Sequence, residues 1–240
     1  KYLEETYTDY KEVFDQVIEV PYQTQFTTKK YFDGSGVFKH LQFKNDLRTK
    51  AYDLSPYDET ILLDSDYIIA NDLFKHCFTS DHDFLIYKDA KDLTNYRETD
   101  EFQKISDTSV DFYWATVIYF TKCEQNKIYF DLTQHIQENW DHYNSIFQVN
   151  KGIFRNDHVF SIAIHIMNGY QKGNFANKLP GKKYYTADRD ILWDLKDDNF
   201  FFLLEKQNHL GEYTPLRIKG SSVHVMNKFS LNRIIDRGEL

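Results

Sequence analysis

One short run limits this chain more than any other. Thr60-Ile-Leu-Leu63 is continuously apolar, as a strand buried on both faces should be, and it is followed at once by Asp64-Ser65-Asp66. Asn71 or Asp72 then opens a helix reaching Phe78, and Asp83-Phe-Leu-Ile-Tyr87 reads as the next strand. A buried strand, two carboxylates at its carboxyl end and a helix behind them describe an α/β layer. In open α/β sheets, ligands gather beyond the carboxyl ends of the strands.

The alternation continues along the chain. Asn45 to Leu54 reads as a helix capped by Asn45 or Asp46 and ended by Pro56. Phe112 to Phe120 is a β-branched and aromatic strand. Asn126 to Tyr143 is a helix whose apolar residues Ile128, Leu132, Ile136 and Trp140 recur every four positions. Asn156 or Asp157 opens another helix, running to Asn168 and closed by Gly169. Strands near Phe200–Leu204 and Ser222–Val225 precede a last helix, Asn227 to Ile235. At the front, residues 15–20 read as a strand and residues 22–40 as a loop with a turn at Asp33-Gly-Ser-Gly36. The pattern predicts an α/β layered domain with a mostly parallel central sheet.

The 240 residues suit one large domain, or one with a small appendage, and 41% hydrophobic residues suffice for a core. A net charge of −8 does not point to a protein that grips a phosphate backbone, although it leaves nucleic acid open as an acceptor. Cys77 and Cys123 form no CxxC pair, so no disulfide framework or zinc knuckle is expected. No run approaches the roughly 20 apolar residues of a membrane helix, and Lys1 to Glu5 is no signal peptide. A cytoplasmic protein is expected. The 18 Tyr and 20 Phe suit either a compositional habit or a surface that stacks on sugars or bases.

Two carboxylates flanking a small residue can share one hard cation, and that cation can neutralise a diphosphate. Tyr57 to Phe74, with Asp64-Ser65-Asp66 at its centre, resembles the core of nucleotide-sugar transferases of the GT-A fold. The likeness is strongest to the glycogenin and lipopolysaccharide galactosyltransferase group, glycosyltransferase family eight, and related phage-encoded enzymes. It extends more loosely from about residue 45 to residue 228.

The resemblance implies a Rossmann-like three-layer sandwich, Mn²⁺ or Mg²⁺ on Asp64 and Asp66, and a nucleotide-sugar donor, with UDP as the expected nucleotide. It places Arg48, Lys50 and Ser65 near the donor. Trp114-Ala115-Thr116 stands where the family has Asn-Ala-Gly lining the sugar pocket. Asp157 matches the acidic residue facing acceptor or sugar, His224 the late third metal ligand, and Lys228 the lysine on the diphosphate. At the front, Lys1 to Glu5 resembles the start of the family's first helix and Thr6 to Asp9 the end of its second strand. The segment between is missing, so the nucleotide-binding unit looks incomplete. The acceptor is unknown. A nucleotidyltransferase or an inactive nucleotide-sugar-binding module is the alternative.

Other groups read as ordinary surface: the loop Asp81-His82-Asp83, and His135 with His142 on one helix. Lys172, Lys178, Lys182 and Lys183, with Tyr184 and Tyr185, form a basic, aromatic loop that reads as a flexible solvated lid, with contact to a polyanionic acceptor as the alternative.

Overall fold

The computed structural model describes residues 14–20, 27–32, 38–43, 47–94, 103–106, 110–149, 154–186, 189–206 and 209–238. The fold is mixed α/β. Strands β1 (Thr27–Phe32) and β2 (Phe38–Phe43) form an antiparallel hairpin where a loop was expected. Each carries too few apolar residues to read as a buried run, so only pairing reveals them. The expected turn at 33–36 and the caps Asn45 and Asp46 lie outside the described residues. Residues 15–20 form no strand, and Val17 and Ile18 are exposed. The helix expected at 45–54 is a 3₁₀ turn, Arg48–Lys50, running into a single α turn, α1 (Ala51–Leu54).

The principal sheet contains β3 (Glu59–Leu63), β5 (Phe84–Tyr87), β7 (Trp114–Thr121) and β8 (Asn177–Lys178), in the order β3-β7-β5-β8. Between β3 and β5 lie β4 (Tyr67–Ile68) and α2 (Leu73–Thr79). β3 and β5 point the same way, as a strand-helix-strand unit requires, but β7 is inserted between them and antiparallel to both. The mostly parallel sheet is therefore corrected to a mixed one, with only the β5–β8 pair parallel. β3 is likewise an edge strand of this sheet, half-buried along most of its length, while β7 is central and buried at seven consecutive positions. An apolar run reports burial, not position in the strand order.

Helices α3 (Glu124–Glu138) and α5 (Asn156–Met167) pack on the principal sheet. The helix expected at 126–143 breaks at Asn139, and α4 (Trp140–Ile146) follows. Its inward face holds Asn126, Tyr129, Phe130, Thr133 and Ile136, and Ile128 is exposed. The larger rings decide the outcome: Tyr129 and Phe130 lie against Phe84, Phe120 and Phe160, and the Tyr129 hydroxyl donates to the Phe160 carbonyl at 3.1 Å. Gly169 leaves α5 with φ +70°, the left-handed conformation expected at a helix end.

A second sheet contains β4, β6 (Ala90–Asp92), β9 (Lys183–Tyr185) and β13 (Val223–His224), in the order β4-β13-β9-β6. It lies between two apolar clusters. Tyr67 and Tyr185 belong to the cluster under the principal sheet. Ile68, Tyr184 and Val223 belong to a smaller one beneath β10 (Leu192–Lys196), β11 (Asn199–Lys206), β12 (His209–Lys219) and α6 (Lys228–Asp236). β10, β11 and β12 form an antiparallel meander of which the sequence suggested only the middle strand. Asn227 caps α6 by accepting from the Phe229 and Ser230 amides at 3.0 Å each. Among the described residues, no helix is long and apolar enough to cross a membrane.

Candidate functional site

Local geometry brings the triplet and the late histidine together. The Asp64 amide donates to the Thr116 carbonyl at 3.0 Å, extending the β3–β7 ladder by one rung. The chain then turns, with the Tyr67 amide donating to the Asp64 carbonyl at 3.1 Å, and Ser65 lies exposed at the tip. Beyond the turn, β4 pairs with β13 so that Tyr67 faces His224, and the Val225 amide donates to the Asp66 carbonyl at 2.9 Å. His224 Nε2 consequently lies 2.9 Å from Asp66 Oδ1 and 3.6 Å from Asp64 Oδ2. One ligand atom from each of the three residues falls within 4.8 Å of the others.

Neighbouring groups hold these side chains in place. His224 Nδ1 is 3.3 Å from the Thr116 hydroxyl, the kind of outer contact that fixes a metal-binding imidazole. Arg48 grips Asp64 Oδ1 and donates to the Ala115 carbonyl at 2.6 Å. Asp64 therefore has one oxygen on Arg48 and one toward His224. The set of two carboxylates and one imidazole fits a divalent cation of the Mn²⁺ or Mg²⁺ class, and the nitrogen ligand favours Mn²⁺. A cation held at Nε2 would take the lone pair of that nitrogen, which lies 2.9 Å from the Asp66 carboxylate.

Asp157 stands in the first turn of α5 without capping it, because its Oδ1 accepts from the Ala115 amide on β7 at 2.8 Å. Its Oδ2 accepts from Arg155 Nε at 3.0 Å. Burial pushes the carboxyl pKa up, but Arg155, Lys183 and the Ala115 amide together pull it down to about 2. Asp157 is thus ionised at neutral pH and a poor proton acceptor there.

Among the donor-binding candidates, Arg48, Ala115 and Thr116 join the site as described. Trp114 does not offer a free face for a sugar. It is 2% exposed, with Lys183 Nζ 3.9 Å above its ring centroid and Tyr185 4.9 Å away. Lys50 is exposed on its 3₁₀ turn, and Lys228 is the first residue of α6.

What sequence reasoning missed is the burial of Lys183. Lys172, Lys178 and Lys182 are exposed as expected, but Lys183 is 1% exposed inside β9, so the lid reading fails there. The available signal was period two: Lys183 and Tyr185 share one face of a strand, opposite Tyr184. Burial brings the ammonium down to about 7, against the pull of Asp157, Asp64 and Asp66. The sign of the stability effect follows. Below pH 7 the folded protein carries the cost of a buried charge, and between about 7 and the ordinary value of 10.5 the unfolded chain binds more protons, so stability rises with pH. Lys183→Met should remove that component of the rise, as thermal melts from pH 6 to 10 would report. An unchanged pH slope would contradict it.

Asp81, His82 and Asp83 are exposed and line a polar cleft with Asn126, Asn168 and Asn174. The cleft lies at the Phe84–Phe120 end of the principal sheet, away from the Trp114 end where the carboxylates gather. His135 and His142 are exposed, as expected.

Compared with known proteins, the chain matches no family model, no curated protein and no solved structure.

Proposed function

We propose that the chain is a metal-dependent glycosyltransferase with a GT-A-like arrangement, moving a sugar from a nucleotide-diphosphate donor, expected to be a UDP-sugar, to an acceptor. The observation that carries this reading is the convergence of Asp64, Asp66 and His224, 158 residues apart at the closest hydrogen-bonded pair, with Arg48 and Thr116 steadying two of them. Asp64, Asp66 and His224 would hold Mn²⁺ or Mg²⁺, which when bound supplies positive charge against the departing diphosphate.

The protein's own groups divide the remaining work. Arg48 turns Asp64 toward the cluster, and Thr116 orients the His224 ring. Asp157, ionised and held on two sides, supplies fixed negative charge where a sugar cation develops. It is too acidic to serve as a base at neutral pH.

Charge balance supports a diphosphate over a triphosphate, and hence this reading over a nucleotidyltransferase. With Lys183 protonated, which an anionic ligand beside it favours, Asp64, Asp66 and Asp157 are matched by Arg48, Arg155 and Lys183. A divalent cation then leaves roughly the charge that a sugar diphosphate neutralises, while a triphosphate would leave an excess of negative charge in a largely buried site. Donor hydrolysis measured across a panel of nucleotide sugars should require Mn²⁺ or Mg²⁺ and stop in EDTA. Labelled nucleoside triphosphates should yield no pyrophosphate. Turnover that persists in EDTA would refute the proposal.

A further inference from the structure

Lys183 lies in β9, on the face it shares with Tyr185. Its side chain is 1% exposed and its Nζ has no hydrogen-bond partner among the described residues, a costly state for a buried ammonium. The other cations of the site are committed. Arg48 spans Asp64 and the Ala115 carbonyl, and Arg155 holds Asp157. Strand pairing fixes the direction of Lys183. It lies on the same face of β9 as Tyr185, and Tyr185 pairs with His224, which pairs with Tyr67. Lys183, Tyr185, His224 and Tyr67 therefore share the face turned toward β7. The ammonium rests on the Trp114 ring there, within electrostatic reach of Asp64, Asp66 and Asp157.

We propose that Lys183 is the anion-binding group of the site, taking a phosphate oxygen of the ligand whose other phosphate oxygens meet the cation on Asp64, Asp66 and His224. This rests on the diphosphate-donor reading above and adds a residue to it. An ammonium needs an acceptor, and a phosphate oxygen arriving beside a cation brings both an acceptor and a negative charge. Contact with Trp114 holds Nζ until then. The flexible four-carbon stem lets Nζ leave the indole while the Lys183 backbone stays in β9.

The test uses calorimetry on the wild-type chain and Lys183→Met, with Lys183→Gln as a second neutral variant and circular-dichroism melts to verify folding. Each protein is titrated with Mn²⁺ alone, then with inorganic pyrophosphate at saturating Mn²⁺. We expect pyrophosphate to bind at least tenfold more weakly to both variants, with Mn²⁺ affinity unchanged or tighter and no loss of melting temperature. Equal pyrophosphate affinity in wild type and variants overturns the role of Lys183 and leaves the donor reading standing. Failure of the wild type to bind Mn²⁺, or pyrophosphate once loaded with Mn²⁺, overturns both.

Discussion

Asp66→Ala should weaken Mn²⁺ binding by more than about 100-fold, the upper range for loss of a mere outer-shell partner, and take donor turnover with it. Asp66 is buried at 8% exposure, and its carboxylate is the closest partner of His224 Nε2. The substitution removes a charged ligand, while the Asp66 carbonyl still accepts from Val225, so the β4–β13 junction survives. His224→Ala should cost less, about 10- to 100-fold, because it removes a neutral ligand. Thr116→Val should cost about tenfold through loss of the Nδ1 contact alone. Calorimetric Mn²⁺ titration of the three variants, alongside turnover, checks this order. Full Mn²⁺ affinity in Asp66→Ala would show that the cluster holds no cation.

The largest effect on stability should come from Arg155→Met. Arg155 is the only side chain seen to donate to Asp157 among the described residues, and the Asp157 side chain is 15% exposed. Removing Arg155 leaves the buried carboxylate with the Ala115 amide and the electrostatic pull of Lys183 alone. We expect a loss of about 3 kcal/mol, the lower end for such a break, because Arg155 keeps 21% of its side chain in solvent. Adding Asp157→Asn should recover much of the loss, since an amide oxygen can still accept from the Ala115 amide. Urea unfolding of the single and double variants measures both. A loss under about 1 kcal/mol would mean that the pair behaves like a surface ion pair. In the wild type, the carboxylate's contribution is complete above its ordinary value of 3.8 and disappears as the pH falls toward about 2, because its folded pKa is the lower one.

Much of this site was legible, and the reasons are local. Asp64 and Asp66 follow a strand directly, so their position needed only the apolar run before them. His224 was legible within the strand read at 222–225, and Asp157 as a residue in the first turn of a helix. The sheet order was not legible, because β7 enters between β3 and β5 from 50 residues downstream of β3's end and no local pattern records that insertion. Lys183 was missed because a lysine among lysines looks solvated. Its burial depends on Trp114 and Tyr185, which come from different strands. The helix at 124–138 was found with Ile136 buried as expected, but Ile128 is exposed and the inward face is shifted toward Tyr129 and Phe130, whose rings meet partners from β5, β7 and α5.

Because β13 has only two residues and takes its place by pairing with β4 on one side and β9 on the other, the cluster of Asp64, Asp66 and His224 has no existence in any fragment that stops short of residue 224. Closing a contact across 158 residues is slow compared with forming the local turn at 64–67. During synthesis, Asp64 and Asp66 therefore precede His224 by 158 residues or more and meet it only after the chain that carries it has emerged and folded back. A cation that binds only the closed arrangement acts as a clasp between these distant stretches, stabilising the folded chain by mass action as its concentration rises above the dissociation constant. Folding yield in Mn²⁺-depleted and Mn²⁺-replete translation would make that clasp visible.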